Sequence, residues 1–162
     1  MSAGEMTEAS IGPNARYFEE FNVGDSWVSP RRTISEADVV MFAALTGDFN
    51  PIHTDEEFAK NTIFGGRILS GPAGFAVATG LESRLGIKEG TAVAFLGMTW
   101  DLKGPIRIGD TIRVVEKVTS KRENRKPTGI VFFEVAIVNQ RDEVVQEGEW
   151  KVMFHRKPAQ GS

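Results

Sequence analysis

Between Ser70 and Leu85 the chain interleaves Gly and Ala with Phe75, Val77, Leu81 and Leu85, and from Gly71 to Leu81 the one polar side chain is Thr79. Coiled as a helix, this segment is apolar nearly all round, so it has to be covered on most sides. Its small residues let neighbouring backbone come close. Four stretches with strand character follow: Ala92–Asp101, Thr111–Lys121, Thr128–Asn139 and Glu143–His155, separated by Gly, Pro, Asn and Asp. A meandering antiparallel sheet curled around one buried helix satisfies both features, which places the chain in the α+β class with a single core. A doubly wound parallel sheet needs helices between its strands, and the second half carries no helical pattern.

The first half supplies shorter elements. Tyr17, Phe18, Phe21 and Val23 lead into the turn pair Gly24-Asp25, and a strand is predicted from Trp27 to Ile34. Ser35 and Asp38 form a capping-box pattern before the apolar run Val39 to Leu45, which Gly47 ends. Asn50-Pro51 then breaks the chain into a tight loop, and Thr54 with Glu57 is expected to cap a second short helix, roughly 55–60. Residues 1–16 and 158–162 read as loose polar tails around one domain at 17–157.

The chain has 162 residues, 41% hydrophobic and 25% charged, enough for one core without metals or cross-links. Nineteen Lys and Arg against 22 Asp and Glu leave a net charge of −3, so no global positive field favours nucleic acid. There is no cysteine, which excludes disulfides, thiolate nucleophiles and cysteine-ligated metals. The start, Met1 to Asn14, lacks a signal-peptide pattern and no window is long and apolar enough for a membrane span. A cytosolic protein without a membrane partner is the expectation.

Asp48 and His53 flank the rigid Asn50-Pro51 turn and can face one point. A carboxylate beside an imidazole is a usable acid/base pair near neutral pH. The same residues also fit an ordinary loop, with Asp48 turning the chain after Gly47. Ahead of the apolar helix stands Ser70-Gly71-Pro72. A helix N-terminus leaves N–H groups without partners, Pro72 has none to give, and Ser70 is the expected cap. Gly71 is thus the candidate donor to a ligand carbonyl, although an ordinary helix start looks the same. Arg67 is the nearest cation and a candidate phosphate contact. The run Lys121 to Lys126 reads as a solvated loop and His155 as a surface residue. With two histidines and no ligand spacing around Asp48, His53 and Asp55, no metal is expected.

The run Leu45-Thr-Gly-Asp-Phe-Asn-Pro-Ile-His-Thr-Asp55, with Phe58, Phe64-Gly-Gly-Arg-Ile and Ser70-Gly71, resembles the MaoC-like family of (R)-specific enoyl-CoA hydratases over about residues 17–155. The resemblance implies a hot-dog fold, a dimer or larger homo-oligomer, and an acyl-CoA substrate whose coenzyme A is no resident cofactor. It implies that Asp48 and His53 hold and activate water and that Gly71 binds the thioester oxygen; Asn50, Arg67 and Ser70 are the candidate substrate-binding residues. Two positions depart from the family pattern: Ser70 stands where many members have His, and Ala76 where simple bacterial hydratases carry a site-lining Ser. The expected reaction is reversible syn addition of water to a 2-enoyl-CoA. A hot-dog thioesterase and a non-catalytic acyl-CoA-binding protein are the alternatives.

Overall fold

The computed structural model describes residues 11–124 and 127–158. In chain order the elements are β1 (Ser26–Val28), β2 (Arg32–Thr33), α1 (Glu36–Thr46), α2 (Pro51–Thr54), α3 (Glu56–Lys60), α4 (Gly71–Ser83), β3 (Ala92–Met98), β4 (Asp101–Leu102), β5 (Thr111–Glu123), β6 (Thr128–Val138) and β7 (Val144–His155), with a 3-10 turn at Phe18–Glu20. The strands form one antiparallel sheet in the order β1-β5-β6-β7-β3, with β2 on β5 and β4 on β7.

Alternation sets which face of the sheet is covered. Ile112, Val114 and Val118 of β5, Val131, Phe133 and Val135 of β6, and Trp150, Val152 and Phe154 of β7 are all buried. They meet Ala73, Ala78 and Leu81 of α4, and Phe21 plugs the far end against Phe133 and Phe154. The covering of α4 is one-sided within the chain: Pro72, Ala76, Thr79 and Gly80 stay exposed. Small side chains leave that face open.

Several expected elements are divided or moved. The strand expected from Trp27 to Ile34 is split at Ser29-Pro30-Arg31, since Pro30 has no N–H to give the ladder. The stretch Ala92–Asp101 is likewise two strands, β3 and β4. The sheet is also no simple meander, because β3 pairs with the last strand, β7, and lies at the sheet edge. Asp55, not Thr54, caps α3, its Oδ1 accepting from the Phe58 N–H at 2.9 Å. Thr54 instead ends the extra turn α2, its hydroxyl donating to the Phe49 carbonyl.

Order begins before Tyr17: the Gly12 and Arg16 amides donate to the carbonyls of Glu89 and Ile87 at 3.2 and 2.9 Å. The expected tails at 1–10 and 159–162, and the last two residues of the Lys121–Lys126 run, lie outside the described residues. No helix among the described residues is long and apolar enough to cross a membrane.

Candidate active site

Gly47 closes α1 in the left-handed conformation, φ 75°, its N–H donating to the Ala43 carbonyl at 2.8 Å. The chain leaves the helix at once, and Thr46 Oγ1 accepts from the Asp48 amide at 3.3 Å. Asp48 Oδ1 in turn accepts from the Asn50 amide at 3.3 Å. This turn leaves Asp48 Oδ2 directed toward His53, with Oδ2 and Nε2 3.8 Å apart. Asn50 is the N-cap of α2, its Oδ1 accepting from the Ile52 N–H at 3.3 Å, and Pro51 takes the first helical position. The Asn-Pro pair thus builds the single helical turn that carries His53.

His53 is the more enclosed partner, 12% exposed at its side chain against 48% for Asp48. Its Nδ1 lies 2.8 Å from the Ile68 carbonyl oxygen, which can only accept, so Nδ1 carries the proton. In the neutral ring Nε2 is then an acceptor facing the Asp48 carboxylate. Two acceptors 3.8 Å apart, too far for a direct bond, suit a water molecule that donates one hydrogen to each. The water's lone pair is left free for an electrophile.

The Ile68 segment leads directly into α4. Its amide donates to the Ile52 carbonyl at 3.3 Å and the Leu69 amide to Ile106 at 2.8 Å, so the strand-like approach to Gly71 is fixed on both sides. Ser70 occupies the N-cap but its hydroxyl makes no capping bond, contrary to the sequence expectation; its backbone carbonyl accepts from Gly74 at 3.2 Å. Ser70 itself is buried. The Gly71 N–H has no hydrogen-bond partner among the described residues and opens the 13-residue helix α4. A Cβ at residue 71 would lie 2.5 Å from Leu102 Cδ1, so glycine here permits the close approach of β4. Gly71 also lines a cavity of about 330 Å³ with Phe64, Ile68, Leu102, Pro105 and Gln146.

Gln146 was not found by sequence reasoning. It is 3% exposed and bonded at both ends of its amide: Nε2 donates to the Gly71 carbonyl at 3.2 Å and Oε1 accepts from Trp100 Nε1 at 2.9 Å. It fits because residue 74 has no Cβ, which would come within 2.4 Å of Gln146 Nε2. The signal in the sequence was a polar residue on the inward parity of β7, in step with Trp150, Val152 and Phe154.

Arg67, the candidate phosphate contact, is held in an ion-pair network. Its NH1 and NH2 donate to the two carboxylate oxygens of Glu36 at 2.7 and 2.8 Å, and its Nε to Glu56 at 3.0 Å. These bonds, Glu36's first, keep the guanidinium firmly protonated, and Arg67 in turn lowers the Glu56 pKa. The network ties α1 to α3 and frames the loop holding Asp48. A larger apolar cavity, about 660 Å³, runs between α1 and α4, lined by Met41, Phe42, Leu45, Ala73, Ala76 and Val77. Ala76, the position of one departure, therefore faces this cavity. Among the described residues no three His, Cys, Asp or Glu side chains are grouped to hold a metal ion.

Residues 20–139, which include the whole Asp48–His53 loop and Gly71, match the family model described as the MaoC like domain. The chain belongs to the MaoC-like family. Among relatives of this MaoC-like chain, the (R)-specific enoyl-CoA hydratase of Rhodospirillum rubrum is 37% identical over 90% of this chain and 94% of its own length. Protein MaoC of Klebsiella aerogenes is 40% identical over 75% of this chain, which spans only 36% of that longer protein. Of solved structures, a monoamine oxidase regulatory protein from Archaeoglobus superposes with a TM-score of 0.84 at 34% identity, covering 91% of this chain and 99% of that one. A Mycobacterium tuberculosis protein described as a double hotdog fold has a TM-score of 0.76, covering 92% of this chain and 47% of its own; at 17% identity it shares the fold alone. The MaoC-like chain thus has the hot-dog fold that its resemblance to the family implied.

Proposed function

We propose that this MaoC-like chain is a hydro-lyase that adds water reversibly to a 2-enoyl-CoA, and the observation that carries the reading is the 2.8 Å contact between His53 Nδ1 and the Ile68 carbonyl, which assigns the imidazole tautomer. With Nδ1 held by Ile68, Nε2 and Asp48 Oδ2 together present two acceptors to one water. The 37% identity to the named (R)-specific enoyl-CoA hydratase supports the same reaction class. The β-carbon of an α,β-unsaturated thioester is electrophilic. As the water attacks it, Asp48 accepts a proton while His53 fixes the second hydrogen. Negative charge moves to the thioester oxygen, where the unpartnered Gly71 N–H and the positive end of α4 stabilise it. The proton on Asp48 then passes to the α-carbon from the same face. This gives syn addition and, by likeness to the named relative, an (R)-3-hydroxyacyl product.

The test is to incubate the protein with crotonyl-CoA and follow loss of the conjugated-thioester absorbance, with chiral analysis of the product. The expected result is hydration to the (R) alcohol with no free thiol. Release of coenzyme A thiol without loss of the double bond identifies a thioesterase instead, and mainly (S) product removes the shared-water geometry.

We also propose that two copies join along β3. This strand is the sheet edge, and Val93, Phe95, Leu96 and Met98 on it are 42%, 48%, 39% and 45% exposed. An apolar edge with free N–H and C=O groups is a template for a second strand. Sedimentation should show at least a dimer, and Leu96→Lys should shift it toward monomer; a monomeric wild type rejects the interface.

A further inference from the structure

A second cavity, about 430 Å³, lies on the other flank of α4 from α1. Its walls are Phe75, Phe95, Trp150 and Val152, and its lining turns polar at Thr79, Glu82 and Lys88. The turn geometry of α4 relates this cavity to Gly71. At 3.6 residues per turn, Gly71, Phe75, Thr79 and Glu82 fall within one sector of about 80°. Ala73, Ala76, Val77 and Gly80 project on the opposite side. The face of α4 that continues from Gly71 is therefore the one lining this cavity, and its polar part begins roughly 12 Å along the axis, at a rise of 1.5 Å per residue. Helical side chains lean toward the N-terminus, which directs the Glu82 carboxylate back toward the apolar walls.

The polar floor is an ion cluster. The Lys88 ammonium pairs with Glu82 at 2.9 Å and with Glu116 of β5, and it sits over the Phe133 ring at 4.1 Å. Glu116 is fully buried, while Lys88 and Glu82 keep 12% and 10% side-chain exposure where they line the cavity. One ammonium faces two carboxyl groups, and the Glu82 carboxylate alone balances it, so no surplus positive charge is left for an anion. A carboxylate-ended ligand would add an unbalanced negative group, and a plain alkyl end would press methyl groups against ions and strip their hydration. A hydroxyl suits both neighbours: it donates to Glu82 and accepts from Lys88, which has three hydrogens for two carboxylates.

Resting on the hydratase reading above, we propose that this cavity receives the far end of the acyl chain and selects chains ending in a hydroxyl over plain alkyl chains of the same length. Glu82 and Lys88 are its specificity residues.

The test uses saturated acyl-CoAs, which lack the reacting double bond, so binding is read without turnover. Octanoyl-CoA and 8-hydroxyoctanoyl-CoA are compared by isothermal titration calorimetry on the whole protein, alongside crotonyl-CoA hydration, whose short chain does not reach the floor. Wild type should bind the hydroxylated ligand about tenfold tighter or better, as a hydrogen bond to a charged group allows. The triple variant Glu82→Leu/Lys88→Met/Glu116→Leu, with folding checked by circular dichroism, should reverse the order; apolar replacement of the whole buried ion cluster commonly preserves stability. Equal or tighter binding of octanoyl-CoA to wild type overturns the proposal while crotonyl-CoA hydration leaves the hydratase reading standing. An unchanged preference in the folded variant also overturns it. Absence of both hydration and binding removes the two readings together.

Discussion

The Nδ1 of His53 lies 2.8 Å from the carbonyl oxygen of Ile68, three residues before Gly71. One hydrogen bond thus fixes the imidazole tautomer and joins the loop carrying Asp48 and His53 to the segment that delivers the α4 N-terminus. The candidate acid/base pair and the candidate oxyanion donor are thereby joined, although His53 and Gly71 lie 18 positions apart in sequence.

Asp48 and His53 are expected to act as a unit. Asp48→Asn keeps the shape and removes the base, and His53→Ala removes the second acceptor for water. Each should lower kcat for crotonyl-CoA hydration by about 100- to 10,000-fold, the usual range for positioned acid/base groups. The double variant should be hardly worse than the worse single one. Steady-state kinetics on folded variants decide it: additive losses, or a single variant with near-normal turnover, reject the shared water.

Gln146→Leu removes the side-chain donor to the Gly71 carbonyl and leaves the Trp100 indole N–H without its acceptor. Trp100 is half-buried, so leaving its donor unpaired costs about 1 kcal/mol, the lower end of the usual range of roughly 1–3 kcal/mol. Urea denaturation should show this loss, and adding Trp100→Phe should recover part of it by removing the orphaned donor. If Gln146 also aims Gly71, kcat falls more than KM changes in both variants.

Arg67→Lys separates a structural from a substrate-binding role. Lysine cannot span both oxygens of Glu36 while also reaching Glu56. The expected outcome is a small loss of stability, up to about 1 kcal/mol for a partly exposed pair, with KM for acyl-CoA nearly unchanged. A several-fold rise in KM without loss of stability would instead place Arg67 on the phosphates.

Burial raises the Glu116 pKa to about 7, against the lowering effect of Lys88. The native state therefore binds a proton that the unfolded chain, titrating near the ordinary carboxylate value, has already lost. This contribution to stability is full below about pH 4.5 and is lost as pH rises through about 7. Glu116→Gln should flatten the fall in denaturant midpoint across that window and gain relative stability above it. A midpoint profile identical in wild type and variant would show that Lys88 keeps the carboxylate ionised throughout.

Local chemistry accounts for what was legible before the structure. Ser35 and Asp38, Gly47, Asn50-Pro51 and the apolar run after Gly71 each act through neighbours within a few residues, and each ends or starts a helix where its sequence implies. Alternation marked β5, β6 and β7 to within two residues. The largely apolar helix required a covering sheet, and the sheet found covers it on one side, through Ala73, Ala78 and Leu81.

Tertiary structure decided the pairings that lie far apart in sequence. No local signal says that β3 pairs with β7 rather than with its sequence neighbour, since strand order depends on which distant faces bury one another. Ile68 meets His53, and Glu36 and Glu56 close on Arg67, only after α1, α2 and α3 are packed. Gln146 reaches Gly71 across 75 residues because Gly74 leaves room for it. Side-chain identity named the groups capable of proton transfer, but the proton on His53 was assigned by a backbone carbonyl that only the folded chain brings within 2.8 Å.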